Sequence, residues 1–104
     1  MKLALAPLNP TVGDLAGNRA LIEGAVRDAV SSGAQLLVLP ELVMTGYPPR
    51  DLLLQGGFIE DVMREVERIA SGVPDGLTVL IGTPWREGSG TLLTNSVVVA
   101  QGGP

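Results

Sequence analysis

The chain has 104 residues, of which 45% are hydrophobic and 17% charged, with a formal net charge of -4 at pH 7. The acidic balance and the seven scattered basic residues argue against binding to nucleic acid or to an anionic membrane surface. Because there is no Cys and no His, disulfides, thiolate metal sites and histidine chemistry are excluded within these residues. We expect one domain or part of one, in a soluble cytoplasmic protein with no signal peptide or membrane span.

Two short apolar strands open the chain, with a helix between them. The segment Leu3 to Leu8 is a nearly unbroken apolar run, and a turn-rich loop follows in which Asp14 or Asn18 can cap a helix. The pattern then predicts an amphipathic helix from about Leu15 or Asn18 to Ser32, with these apolar residues at i, i+3, i+4, i+7 and i+8: Ile22, Ala25, Val26, Ala29 and Val30. A second strand follows at Leu36 to Leu39, so this order predicts a right-handed parallel crossover.

Glu41 follows the second strand directly. Pro40 has no N–H for a strand ladder and pushes Leu39 toward extended geometry, so the strand should stop there. Glu41 then lies just past the carboxyl end of a buried strand, which is where open α/β sheets bind ligands. A first-turn acid of a short helix is the alternative. Spacing alone leaves both interpretations open.

The loop after Glu41 contains the only tyrosine, Tyr47. Gly46 and the pair Pro48-Pro49 exclude a long helix there and allow at most a turn of helix around Asp51 to Leu54. Tyr47 stands beside the candidate site, and its role could equally be packing, with the hydroxyl bonded to a nearby partner.

The second half of the chain predicts a helix and two strands. The helix spans Phe58 to Ala70, and the third strand runs from Leu77 to Ile81 and ends at Gly82. A short connection leads to a fourth strand from Leu93 to Ala100, which suits an antiparallel neighbour. The residues Gln101 to Pro104 are expected to begin a hairpin turn. Because an unpaired apolar edge would remain, we expect the chain to be a fragment of a longer protein.

Several motifs together resemble the nitrilase, or carbon-nitrogen hydrolase, superfamily. They are the loop Asn9 to Asp14 after the first strand, Gly33-Ala34 before the second, and the Leu-Pro-Glu-Leu series at Leu39 to Leu42. Within that superfamily the chain is most similar to the amino-terminal glutaminase domain of the glutamine-dependent NAD+ synthetases. The similarity rests on three segments: Thr45 to Leu53, Gly82-Thr83-Pro84 and Thr94-Asn95-Ser96.

The resemblance implies an α/β fold, a partial nitrilase-like αββα sandwich. Its order is βαβ, loop, α, ββ, with the helices on one face of a mixed sheet. Residues 1–104 would be the amino-terminal part of one glutaminase-type domain, and the rest of that domain and any synthetase domain would lie outside this chain.

The resemblance also implies a Glu-Lys-Cys triad. Glu41 would be its general base, partly buried at the strand end, and would deprotonate a cysteine that attacks the amide of glutamine. Tyr47 would line the glutamine pocket. The only lysine is Lys2, at the wrong end of the chain, and there is no cysteine, so the triad Lys and Cys are missing and these 104 residues alone are expected to be inactive.

The implied partners follow from the same resemblance. Glutamine would be the substrate, the parent protein a homo-oligomer, and ammonia would pass to a synthetase domain that uses ATP and Mg²⁺, whereas this chain itself would need no cofactor. The alternatives are another nitrilase-superfamily amidase, or a non-catalytic nitrilase-like interaction module.

Overall fold

The computed structural model describes residues 2–46, 56–86 and 93–102. Tyr47, the turn of helix expected at 51–54 and the last two residues of the expected hairpin turn lie outside the described residues. The elements, in chain order, are β1 (Leu3–Leu5), α1 (Leu15–Ser31), β2 (Leu36–Val38), α2 (Phe58–Ser71), β3 (Thr78–Arg86) and β4 (Leu93–Gln101).

The described strands form one mixed sheet in the order β1-β2-β3-β4. β1, β2 and β3 are parallel, and β4 is antiparallel to β3. One row across the sheet consists of Leu5, Val38, Leu80 and Val99. The parallel crossover and the antiparallel fourth strand predicted from the sequence are therefore confirmed.

Helix α1 begins at the cap predicted for it. Ile22, Ala25 and Ala29 of its predicted apolar stripe are buried, whereas Val30 is 48% exposed. The backbone N–H of Gly17 donates to Oδ1 of Asp14 at 3.0 Å, so Asp14 is the N-cap. Helix α2 has acids in its first turn and Arg68 in its last, which suits the helix dipole. Arg19 of α1 joins Glu65 of α2, with 2.6 Å between Nη1 and Oε2.

Both helices cover the same face of the sheet. Alternate strand residues such as Leu37, Val79 and Ile81 are buried in one core with both helices. The residues between them point to the other face, where the following large apolar side chains of the described residues are exposed: Leu3, Leu5, Val97 and Val99. We call this the open face. Neither helix of the described part of the chain is long and apolar enough to cross a membrane.

Two strand ends differ from the sequence prediction by more than one residue. β1 ends at Leu5 instead of Leu8, because Pro7 cannot donate to the ladder. β3 continues to Arg86 instead of stopping at Gly82. Since β2 has already ended there, this part of β3 pairs with β4 alone, and such an edge tolerates Pro84. Gly102, expected in a turn, continues the pairing through a bridge to Asp75.

Candidate active site

Glu41 lies just past the carboxyl end of β2 and beside Gly82, in the middle of β3. It lines an open depression of about 260 Å³ together with residues of β2, β3 and β4: Val38, Leu39, Leu80, Gly82, Ser96 and Val97. The sequence predicted a partly buried carboxylate, and this is wrong for the described chain. The side chain is exposed because the depression opens onto the open face of the sheet.

A buried turn carries Glu41, although its side chain is exposed. The N–H of Val43 donates to the carbonyl of Pro40 at 3.3 Å, and that of Gly46 to the carbonyl of Leu42 at 2.9 Å. Leu42 has φ +52°, a left-handed conformation that an L side chain rarely adopts and that interrupts any helix. The alternative in which Glu41 starts a helix is therefore wrong.

Strand β3 contacts this turn through its backbone. The N–H of Met44 donates to the carbonyl of Gly82 at 3.4 Å. A Cβ on Gly82 would stand 2.7 Å from the Leu42 nitrogen and 2.7 Å from the Pro40 oxygen. The backbones of β3 and of the turn approach so closely that only glycine fits.

Asn18 ties the other side of the turn to α1. Its side chain is buried, with Oδ1 accepting from the N–H of Thr11 at 2.8 Å. Its Nδ2 donates to the carbonyls of Thr11, at 2.8 Å, and Met44, at 3.1 Å. The N–H of Gly13 donates to the carbonyl of Thr45 at 2.9 Å. Asn18 is thus not a helix cap, as the sequence allowed, but a clamp between two loops.

The structure does not test the pocket residue predicted beside Glu41, and it places the only lysine of the chain elsewhere. Tyr47 lies outside the described residues, so its place in a substrate pocket stays a prediction. Lys2 is at the opposite edge of the sheet, where its Nζ donates to the carbonyl of Ser32 at 2.5 Å. Within the described ranges no group of three or more His, Cys, Asp or Glu side chains could hold a metal ion. What the described part of the site offers is the carboxylate of Glu41, a group able to accept a proton, on a turn whose backbone is hydrogen-bonded.

Sequence reasoning did not identify two residues, Gly82 and Asn18, as supports of the turn that carries Glu41. Gly82 carried a usable signal, because a glycine next to an apolar strand run often marks a close backbone approach. The clamp by Asn18 had no such signal, since a polar residue near a helix start looks like a cap. The left-handed Leu42 could not have been anticipated from an apolar residue type.

Residues 2–103 match the family model described as carbon-nitrogen hydrolase, so the chain belongs to that family. It is 40% identical over 106 residues to the glutamine-dependent NAD(+) synthetase of Synechocystis sp., an alignment that covers 96% of this chain and 19% of the relative. The chain therefore spans about one fifth of the length of that relative.

Solved structures agree with this assignment. The glutamine-dependent NAD+ synthetase from Acinetobacter baumannii, in complex with adenosine diphosphate, superposes with a TM-score of 0.86 and 27% identity over 95% of this chain and 18% of that one. An amidase from Nesterenkonia sp. gives a TM-score of 0.70 and 30% identity over 85% of this chain and 34% of its own. A variant of that amidase shows covalent addition at an active site cysteine. The nitrilase resemblance and the fold class predicted from the sequence are confirmed.

Proposed function

We propose that this chain forms the base-bearing, amino-terminal part of the glutaminase domain of a glutamine-dependent NAD+ synthetase. The observation that carries the proposal is the position of Glu41 on a buried turn just past the carboxyl end of β2 and beside Gly82 of β3, in the depression on the open face. The 40% identity to a glutamine-dependent NAD(+) synthetase supports the choice within the family.

In the proposed reaction, Glu41 takes the proton of a cysteine thiol that the complete domain supplies. The thiolate attacks the side-chain amide carbon of glutamine, and a lysine stabilises the developing oxyanion. Ammonia leaves with the proton held by Glu41, and a thioester remains. Glu41 then takes a proton from water, which hydrolyses the thioester to glutamate and regenerates the thiol.

The second half of the proposed activity lies outside this chain. We assign ATP and Mg²⁺ to the synthetase domain, where they would activate nicotinic acid adenine dinucleotide for amidation by ammonia. Together the two domains would act as a hydrolase and a ligase. The cytoplasmic location and the homo-oligomeric state expected from the sequence belong to the same proposal, and cell fractionation and size-exclusion chromatography of the complete protein test them.

Replacing the base tests the proposal in the complete protein. Glu41→Gln keeps the size of the side chain but removes its ability to accept a proton, so glutamine-driven NAD+ synthesis should fall by roughly 10² to 10⁴-fold. Synthesis driven by added ammonium should be unchanged, because it bypasses the glutaminase site. Glu67→Gln, on the exposed side of α2, is the matched control and should leave both rates unchanged.

Two results would contradict the assignment. If Glu41→Gln keeps glutamine-driven synthesis, Glu41 is not the base. If it loses both rates while remaining folded, its role is structural. Tyr47→Phe, assayed in the same way, should raise KM for glutamine if Tyr47 lines the pocket as predicted.

An amidase acting on small amides is the second candidate function, favoured by the likeness to the Nesterenkonia amidase. The two functions differ in what the complete protein turns over. Release of ammonia from short aliphatic amides, without NAD+ formation from glutamine, would favour the amidase.

A further inference from the structure

We propose that Gly82 is a positioning residue for Glu41. Because Gly82 has no side chain, the backbone of the turn from Pro40 to Leu42 can lie directly against β3. This distance between the two backbones sets the position of the carboxylate over the depression. This inference rests on the general-base role proposed for Glu41.

The contacts of Gly82 are with backbone atoms and leave no room for a side chain. A Cβ built on this residue would lie 2.7 Å from the Leu42 nitrogen, 2.7 Å from the Pro40 oxygen and 2.9 Å from the Glu41 Cα. All three distances are well inside van der Waals contact. Because the atoms belong to the main chain and not to a flexible side-chain end, a methyl group there must push the turn itself away.

The far side of the turn is anchored, so the displacement falls on its first residues. The carbonyl of Met44 accepts from Asn18, and the carbonyl of Thr45 accepts from the N–H of Gly13. Leu42 already occupies an unfavourable backbone conformation at φ +52°. The segment that must yield is therefore the one that carries Glu41, and a misplacement of about 1 Å can cost roughly 10²-fold in rate.

Two other glycines separate positioning from a general loss of stability. A Cβ on Gly102 would clash even more closely with the backbone of Pro74, but it does so beside the amino end of β3, away from Glu41. A Cβ on Gly24, inside α1, would meet only Nη2 of Arg27 at 3.6 Å. Gly102→Ala therefore controls for a backbone clash at a place away from Glu41. Gly24→Ala controls for the same Gly-to-Ala change where no backbone clash occurs.

The experiment compares glutamine-driven with ammonium-driven NAD+ synthesis by the complete protein carrying Gly82→Ala, Gly102→Ala, Gly24→Ala or Glu41→Gln. Both rates are measured on the same preparation, so any loss of folded enzyme cancels from their ratio. For Gly82→Ala we expect the ratio to fall at least tenfold, through kcat, while KM for glutamine stays within twofold. Gly102→Ala and Gly24→Ala should leave the ratio within twofold of wild type.

The outcomes distinguish this inference from the proposed function. If Glu41→Gln lowers the ratio and Gly82→Ala does not, Gly82 has no positioning role, but the base assignment stands. If Glu41→Gln leaves the ratio unchanged, both ideas fail. An equal fall in the two rates for Gly82→Ala would make Gly82 purely structural.

A double variant covers the case in which Gly82→Ala yields no soluble enzyme. Adding Leu42→Gly frees the turn to yield to the methyl group, because glycine tolerates many more backbone conformations. The double variant should then show the tenfold fall in the ratio relative to Leu42→Gly alone. A ratio within twofold of that reference would overturn the inference.

Discussion

Replacing Asn18 by alanine should loosen the two loops that it joins without unfolding the helices. Three hydrogen bonds are lost, two to Thr11 and one to Met44, and their backbone partners are left inside the protein. At a net value of about 1 kcal/mol for each bond, the cost of opening these loops falls by ~3 kcal/mol. Since every 1.4 kcal/mol is a factor of ten, amide exchange in the loops should accelerate roughly 100-fold.

The reporter is the amide of Gly13, which donates to the carbonyl of Thr45 at 2.9 Å. Hydrogen exchange followed by mass spectrometry resolves the peptide that contains it from peptides of α2. Ser71→Ala, which removes one exposed bond to the carbonyl of Arg68 at 2.9 Å, is the control and should not affect Gly13. An acceleration at Gly13 of less than threefold in Asn18→Ala would refute the clamp.

Two further predictions concern ion pairs. Arg19 and Glu65 join the helices with side chains only 24% and 19% exposed, so a double-mutant cycle of their alanine variants in urea unfolding should give a coupling energy of about 1 kcal/mol; a value near zero would show that the pair is not stabilising. The hydrogen bond from Arg86 lowers the pKa of Glu60 below its ordinary value, so the pair stabilises the fold at pH values above the unfolded pKa and this stabilisation is lost as the pH falls through the folded one. Arg86→Ala should raise the pKa of Glu60 in an NMR titration, and an unchanged pKa would contradict the assignment.

Helices and strands were predictable where the spacing of apolar residues in the sequence matches the residues that the fold buries. Helix α2 has apolar residues on one side and charges on the other, and the structure places it within one residue of the expected end. Strand ends were harder to predict, because they depend on which neighbouring strand is still available for pairing at that position. β3 extends through Pro84 since β2 has already ended beside it, and this is a property of two strands together.

The position of Glu41 in the fold was predictable, but the way its turn is built was not. Pro40 correctly placed Glu41 just after a strand, and the general-base role implied by the family resemblance stays a prediction. The exposure of its side chain, the left-handed Leu42 and the hydrogen bonds of Asn18 all depend on contacts between residues far apart in the chain. A single sequence carries no local signal for such contacts, because residue type and spacing report only on nearby structure.

The open face has a consequence for the response of the protein to temperature. Its exposed residues include Leu5, 70% exposed, and Val97, 63% exposed. Any structure that packs on this face removes apolar surface from water, and that burial gives a negative change in heat capacity. Hydrophobic stabilisation of this kind weakens on cooling. Contacts made through the open face should therefore loosen in the cold more readily than the polar clamp at Asn18.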